Sequence, residues 1–359
     1  MLHKYKSFFF IGVFFLLSLF PLINSSLNIF PNYNIEKKAA VPKPVLNNGI
    51  LPYINEYNTW YKSNFSGRSV MFSFASNLIY KIFNSSIKED RVVVGKEGFF
   101  FLGNKSGSVI DESLGIKIFN DNHLSQIERE VHERSKYCDS LGIVYILAIA
   151  PNKHTTYKDK LPYNTISNYN RIDQILNKLT PRYNVINLGK DFEDYKKDQL
   201  LYYKTNSHWN KIGGYYGYEA LMEYMIGIGY KDLKLSKSDF NWTYETKDLG
   251  DLTKMIDLSI KESRVLPQVK KQQGTQTISN SNKGKRVKVF KNNNKKYNTL
   301  ILRDSYTSSM VDYLKHTFNR ITLVWNHEFN KEDIEKLKPN IVIQIIVERN
   351  LDILLNDKK

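Results

Sequence analysis

The sequence predicts an α/β protein, an open parallel sheet with helices on both faces, set behind an apolar amino-terminal segment. Three observations predict it. From residue 120 onward, apolar runs alternate with segments of helical period, the pattern of strand–helix–strand units. The longest run, IVYILAIA at 143–150, is continuous rather than alternating, which suits a parallel strand buried on both faces. The first 23 residues carry a basic start and then a charge-free apolar stretch, the layout of an export signal.

Composition sets the outer bounds. The chain has 359 residues, 42% of them hydrophobic, with 24 tyrosines and 20 phenylalanines. That is ample for a buried core, and it excludes a disordered chain, a collagen and a coiled coil. The single cysteine, Cys138, excludes an intramolecular disulfide framework and a multi-cysteine zinc site. With 52 Lys and Arg against 36 acids, the net charge is +16, which favours an acidic partner or an anionic surface.

In order along the chain, residues 1–24 read as a signal peptide or membrane anchor. His3, Lys4 and Lys6 precede FFFIGVFFLLSLFPLI at 8–23, and no clean small-x-small cleavage site follows. An uncleaved anchor with its basic side in the cytoplasm and the bulk outside is the favoured reading. Export in turn argues against nucleic acid as the partner of the positive charge. Residues 25–90 read as an extended, Pro-rich lead (Pro31, Pro42, Pro44) and a helical segment over 52–85, with Tyr53, Tyr57, Trp60 and Tyr61 at helical spacing. Residues 91–359 form the main domain. RVVVGKEGFFFL at 91–102 predicts two strands around a turn at Lys96–Gly98.

Leu124, Ile127, Val131, Cys138 and Leu141 mark one helical face, so Cys138 belongs to the core. Further strands are expected at 143–150, 183–188, 299–302, 321–325 and 341–347. Helices are expected around 167–179, 211–226, 306–317 and 330–337. Residues 261–300 hold 11 Lys or Arg and one acid, Glu262. This stretch reads as a basic, flexible insertion over 261–298, either simply solvated or a guide for an anionic polymer or lipid headgroups. The sequence holds no Walker loop, GxGxxG, HExxH or paired metal-ligand spacing, and no cofactor or metal is expected.

Chemistry in such sheets gathers at the carboxyl ends of strands, and three segments qualify. In LILRDSYTSS at 300–309, Ser305 follows an apolar strand and precedes a helix. It fits either a helix cap or an exposed hydroxyl beside backbone N–H donors. In YYKTNSHWNKIGG at 202–214, His208 stands just ahead of a helix, either a hydrogen-bonded loop histidine or a neutral base. Trp209 would wall the site. In APNKHTTY at 150–157, Asn152 and Lys153 are either an ordinary turn or donors to an oxyanion.

Together these segments resemble the SGNH hydrolase-like domain of the alginate O-acetyltransferase AlgX/AlgJ family, the DHHW-type proteins. The resemblance spans about residues 35–352. It runs through IEKKAAVPKP (35–44), WYKSNFSGR (60–68), VVVGKEGFFF (92–101), APNK (150–153), TNSHWN (205–210), GDLTKM (250–255), RDSYT (303–307) and IVERNL (346–351). It implies a three-layer, flavodoxin-like α/β fold. It also implies a Ser305 nucleophile, a His208 base, and supporting roles for Asp304, Tyr306, Asn152 and Trp209, with backbone N–H groups at 305–306, helped by Asn152, expected to hold the oxyanion. The carbohydrate-binding module that some members carry after the IVERNL position is not expected.

Two positions depart from the family pattern: Asn206 stands where the triad aspartate is expected, and Arg303 stands where glycine is common. Three outcomes follow for Asn206: a slow Ser–His dyad, a substitute carboxylate such as Asp304 or Asp191, or a domain that binds glycan without chemistry. The resemblance implies O-acetylation of an exported or cell-surface polysaccharide through an acetyl-serine. A membrane-bound O-acyltransferase would supply the acetyl group, and the domain would sit outside the bacterial cytoplasmic membrane. A polysaccharide acetyl esterase using the same residues is the alternative.

Overall fold

The continuous apolar runs become the central strands of a sheet, and the helical segments cover it. The computed structural model describes all residues except 1, 31–40, 47–48, 165, 168, 249, 272–273, 282–285 and 356–359. Residues 35–40 of the IEKKAAVPKP segment therefore lie outside the described residues. Two units are distinguished: residues 1–89 with 253–259, and residues 90–252 with 260–359.

The first unit begins with a helix over Leu2–Leu27, whose Phe8–Leu27 stretch is long and apolar enough to cross a membrane. Pro21 is accommodated inside this helix. The single helical segment expected over 52–85 is two helices, Ile50–Asn64 and Arg68–Phe83. They part at Gly67, whose φ of 76° is a left-handed conformation that favours glycine.

The second unit contains eleven strands among its described residues. A small antiparallel pair, β1 (Val92–Val94) and β2 (Phe100–Leu102), flanks the turn at 96–98. The strands β3 (Val144–Ala150), β4 (Val185–Asn187), β9 (Asn298–Arg303), β10 (Arg320–Val324) and β11 (Ile341–Val347) run parallel. Two antiparallel strands, β8 (Val287–Lys291) and β7 (Gln276–Ser281), extend the sheet beyond β10, giving the order β4-β3-β11-β9-β10-β8-β7. The remaining pair, β5 (Phe240–Asp248) and β6 (Lys261–Val269), forms its own ribbon.

The segment 261–298, expected as a flexible insertion, thus supplies β6, β7, β8 and the first residue of β9. Its polarity has a structural reason. All of β7 is exposed at the sheet edge, so edge pairing needs no apolar residues there. Pro267 in β6 is tolerated because a two-stranded ribbon leaves one edge of each strand unpaired.

The core follows from the two-residue repeat of the strands. Tyr145, Leu147 and Ile149 of β3, Leu300 and Leu302 of β9, and Val342 and Ile346 of β11 share one buried cluster. That cluster also takes Ile127, Val131 and Cys138 from the helix Asp121–Ser140, together with Ile172, Ile175 and Leu179 from Arg171–Leu179. The intervening residues Ile146, Ala148, Ile301, Ile343 and Ile345 are buried as well. A strand covered on both faces leaves no polar positions, which is why these runs are continuous.

His154 follows β3 in the short helix Lys153–Thr156 and is only 2% exposed. Its Nε2–H donates to the Leu102 carbonyl at 2.9 Å. Burial drives its pKa from 6.5 down to about 3. Between those values the unfolded chain holds the extra proton, so this group's contribution to stability falls as pH drops through the window. Substituting His154→Phe is expected to remove that dependence. Urea unfolding measured from pH 7 to 3.5 should give a shallower acid decline than wild type, by a few kcal/mol on the order of 1.4 per pKa unit. The lost Leu102 bond adds only an offset common to all pH values.

Candidate active site

Adjacent parallel strands deliver their following loops to one end of the sheet, and the site is built there. β3 leads into Pro151 and Asn152, β9 into Asp304 and Ser305, and β11 into Glu348 and Arg349. The three loops are laced together. Asp304 accepts from Tyr306 N (2.9 Å) and, through its other oxygen, from Val347 N (2.7 Å). Glu348 accepts from Asn152 N at 2.9 Å. One guanidinium nitrogen, Arg349 Nη1, donates to Asn152 Oδ1 (3.3 Å) and to Tyr306 OH (3.2 Å).

Ser305 precedes a 3-10 turn over Tyr306–Ser309, not the longer helix expected from 306 to 317, and its side chain makes no capping bond. The hydroxyl points elsewhere: Ser305 Oγ lies 2.8 Å from His208 Nε2.

His208 comes from the loop before the helix Lys211–Gly227. Asn210 caps that helix by accepting from Ile212 N and Gly213 N, both at 2.9 Å. The loop is held close to the 305–309 turn. Trp209, fully buried, donates its Nε1–H to Tyr306 O at 2.7 Å, and Tyr306 OH donates to Ser207 O at 2.7 Å. Gly214 permits the approach, since a Cβ there would come within 2.7 Å of Ser309.

The tautomer of His208 follows from its neighbours. Asn206 Oδ1 accepts from the His208 backbone N–H at 3.0 Å, so that atom is the carbonyl oxygen. The same oxygen lies 2.8 Å from His208 Nδ1. An acceptor there requires the proton on Nδ1 and leaves the Nε2 lone pair facing Ser305. Asn206 Oδ1 thereby fixes the orientation and tautomer of the imidazole.

Both carboxylates named from the sequence are engaged elsewhere. Asp304 is engaged by Tyr306 N, Val347 N and His327, whose Nε2 is 3.6 Å away. Burial raises its pKa, but these contacts outweigh burial and leave the carboxyl below its usual range. Asp191 lies beside Lys190 at 3.7 Å, nearly half exposed. The carboxylate at the site is Asp251, from the GDLTKM segment, which sequence reasoning quoted but gave no role. Its Oδ2 is 3.4 Å from His208 Nδ1 and accepts from Ser207 Oγ at 2.5 Å, while its Oδ1 accepts from Ser207 N at 2.7 Å. Burial raises the Asp251 pKa, but the nearby His208 imidazole and the hydrogen bonds from Ser207 prevail and hold the carboxyl below its usual range.

Two of the expected donors are otherwise occupied. The Tyr306 N–H is taken by Asp304. Lys153 Nζ donates to the carbonyls of Phe100 (2.7 Å), Lys204 (2.7 Å) and Asn206 (3.2 Å), so it anchors the histidine loop and does not face an oxyanion. Burial lowers the Lys153 pKa to about 7. Glu262 of β6 holds the same loop by accepting from Lys204 N (2.7 Å), from Thr205 N (3.2 Å) and from the Thr205 hydroxyl. Asn152 differs from these: its side-chain Nδ2 is buried and makes no hydrogen bond. Arg303 fills the position where glycine is common with its guanidinium over Trp325, 4.2 Å from the ring centroid, donating to Ser308 Oγ at 2.9 Å.

Two structures of one protein share this fold, and a third structure is more distantly similar. Bacillus cereus PatB1 with a sulfonyl adduct superposes with a TM-score of 0.54 at 20% identity, covering 66% of this chain and 92% of that one. PatB1 in a second structure gives 0.51 at 18% identity, covering 64% and 90%. The O-acetyltransferase domain of Pseudomonas putida AlgJ gives 0.46 at 14% identity, covering 73% and 92%. No curated protein matches the sequence. Residues 92–330 match the family model described as the SGNH hydrolase-like domain of acetyltransferase AlgX. With well over half its length matched, the chain belongs to the AlgX family of SGNH hydrolase-like acetyltransferase domains.

Proposed function

We propose that the protein transfers acetyl groups to hydroxyls of an exported or cell-surface polysaccharide through an acetyl-serine on Ser305. The observation that carries this reading is the 2.8 Å contact between Ser305 Oγ and a His208 Nε2 whose lone pair is freed by Asn206, in a chain of this acetyltransferase family. His208 Nε2 takes the hydroxyl proton as Oγ bonds to the carbonyl carbon of an acetyl donor. The carbonyl π pair moves onto oxygen, where the Asn152 amide donates to it. As that pair returns, the bond to the leaving group breaks, and the leaving group takes the proton from Nε2. A sugar hydroxyl then repeats the sequence in reverse roles, giving up its proton to His208 as it takes the acetyl group from Ser305.

The amino-terminal helix would hold the domain at the outer face of the cytoplasmic membrane, beside a membrane-bound O-acyltransferase as acetyl source. The net charge of +16 would raise the local concentration of an anionic glycan. The full-length protein in detergent, given 4-methylumbelliferyl acetate with and without unacetylated polysaccharide, tests the reading. Faster fluorophore release with glycan, and acetyl groups recovered on the sugar, are expected. Release indifferent to glycan, with free acetate as the sole product, would identify an esterase instead.

A further inference from the structure

In the usual triad one carboxylate both orients the histidine and balances the charge it gains. Here the two tasks fall to different residues. We infer that Asp251 is a positioning residue that supplies, to His208, the negative charge Asn206 lacks, while Asn206 retains the orienting hydrogen bond. The inference rests on the Ser305–His208 reading above and deepens it.

Three features of the geometry carry it. Asn206 Oδ1 occupies the direct bond to Nδ1 at 2.8 Å, and Asp251 Oδ2 lies 3.4 Å from the same nitrogen. Ser207 Oγ completes a triangle with them, 3.2 Å from Nδ1 and 2.5 Å from Asp251 Oδ2. The hydroxyl therefore points its own proton at the carboxylate and its lone pairs toward the imidazole. When His208 accepts the Ser305 proton, its Nδ1–H keeps its proton and Asp251 stays ionised. No proton passes to the carboxylate; the stabilisation is through space and through the polarised hydroxyl.

Asp251 is suited to the task because it is held charged. Its Oδ1 accepts from Ser207 N at 2.7 Å, which fixes the carboxylate plane. Its field favours the charged forms of the buried Arg349 and Lys153, in Lys153 against the larger effect of burial. A carboxylate that merely tied down the loop would need the backbone bond alone, with no reason to present its second oxygen to the histidine.

The test separates charge from scaffold. Asp251→Asn keeps an oxygen for Ser207 N and removes the charge. In full-length protein it is expected to lower kcat for 4-methylumbelliferyl acetate, and the rate of Ser305 labelling by a sulfonyl fluoride, by about 10²- to 10⁴-fold. KM and the melting temperature should stay close to wild type. The double variant Asn206→Asp/Asp251→Asn, which moves the carboxylate to the family position, should recover most of the loss. Asn206→Asp alone should gain less than about tenfold, because the charge is already present.

If Asp251→Asn reacts as fast as an active wild type, this assignment is overturned and the acyl-serine reading survives. A slow Asp251→Asn that Asn206→Asp fails to restore also overturns it, leaving only a loop-holding role. A wild type inert at Ser305 that Asn206→Asp switches on overturns it too, since Asp251 would then confer nothing. If neither is reactive, the acyl-serine reading falls and takes this one with it.

Discussion

Replacing Ser305 by alanine is expected to abolish labelling by a sulfonyl fluoride and to lower acetyl-ester turnover by about 10⁶-fold. The magnitude follows from what the hydroxyl does. It is the atom that His208 Nε2 faces at 2.8 Å. Without it the histidine has no proton to remove from the enzyme, and direct attack by water must find its own alignment. His208→Ala should cost a comparable factor, and the double variant little more than either, because the two side chains act as a unit. The fold should tolerate the change. Ser305 is partly exposed and makes no capping bond, so its removal leaves no buried donor or acceptor stranded. An alanine variant that still turns over at a tenth of the wild-type rate would place the chemistry elsewhere.

The parts of this molecule that were legible in the sequence are those where local pattern and tertiary role coincide. β3 and β11 are buried on both faces, so they read as unbroken apolar runs, and their bounds were found to within one residue. Ser305 and His208, which the fold brings to 2.8 Å, stood out because each occupies a strand-end or helix-start position within a family segment. What stayed hidden was set by contacts between distant residues. Nothing local marks QTISNS as a strand, because β7 is an exposed edge held by backbone pairing to β8.

Asp251 lies 43 positions after His208, at the start of the short helix Asp251–Met255, and reaches the histidine only through the fold. A signal existed: GDLTKM was among the segments that carry the family resemblance, and Asn206 stands where that family's pattern has an aspartate. Asp304 attracted attention instead because it neighbours Ser305 in sequence. Yet adjacent residues in this turn point apart, and Asp304 turns inward to tie β9 to β11 through Val347 N.

The same logic bears on Asn152, where function and stability should move in opposite directions. Its backbone N–H is fixed by Glu348 and its Oδ1 by Arg349, which also binds the hydroxyl of Tyr306, the residue next to Ser305. That leaves Nδ2 buried with no acceptor. A buried donor left unmade costs about 1–3 kcal/mol, a cost that an apolar replacement would relieve. During acyl transfer the oxyanion would supply the absent acceptor, and a donor already in place requires no reorganisation at that moment. Asn152→Ala is therefore expected to lower kcat by about 10²- to 10³-fold with KM little changed. Its melting temperature should match or exceed wild type, since the loss of the long Arg349 contact is offset by removal of the stranded amide. Loss of activity together with a fall in melting temperature would instead make Asn152 a structural pin, and the unsatisfied amide would need another explanation.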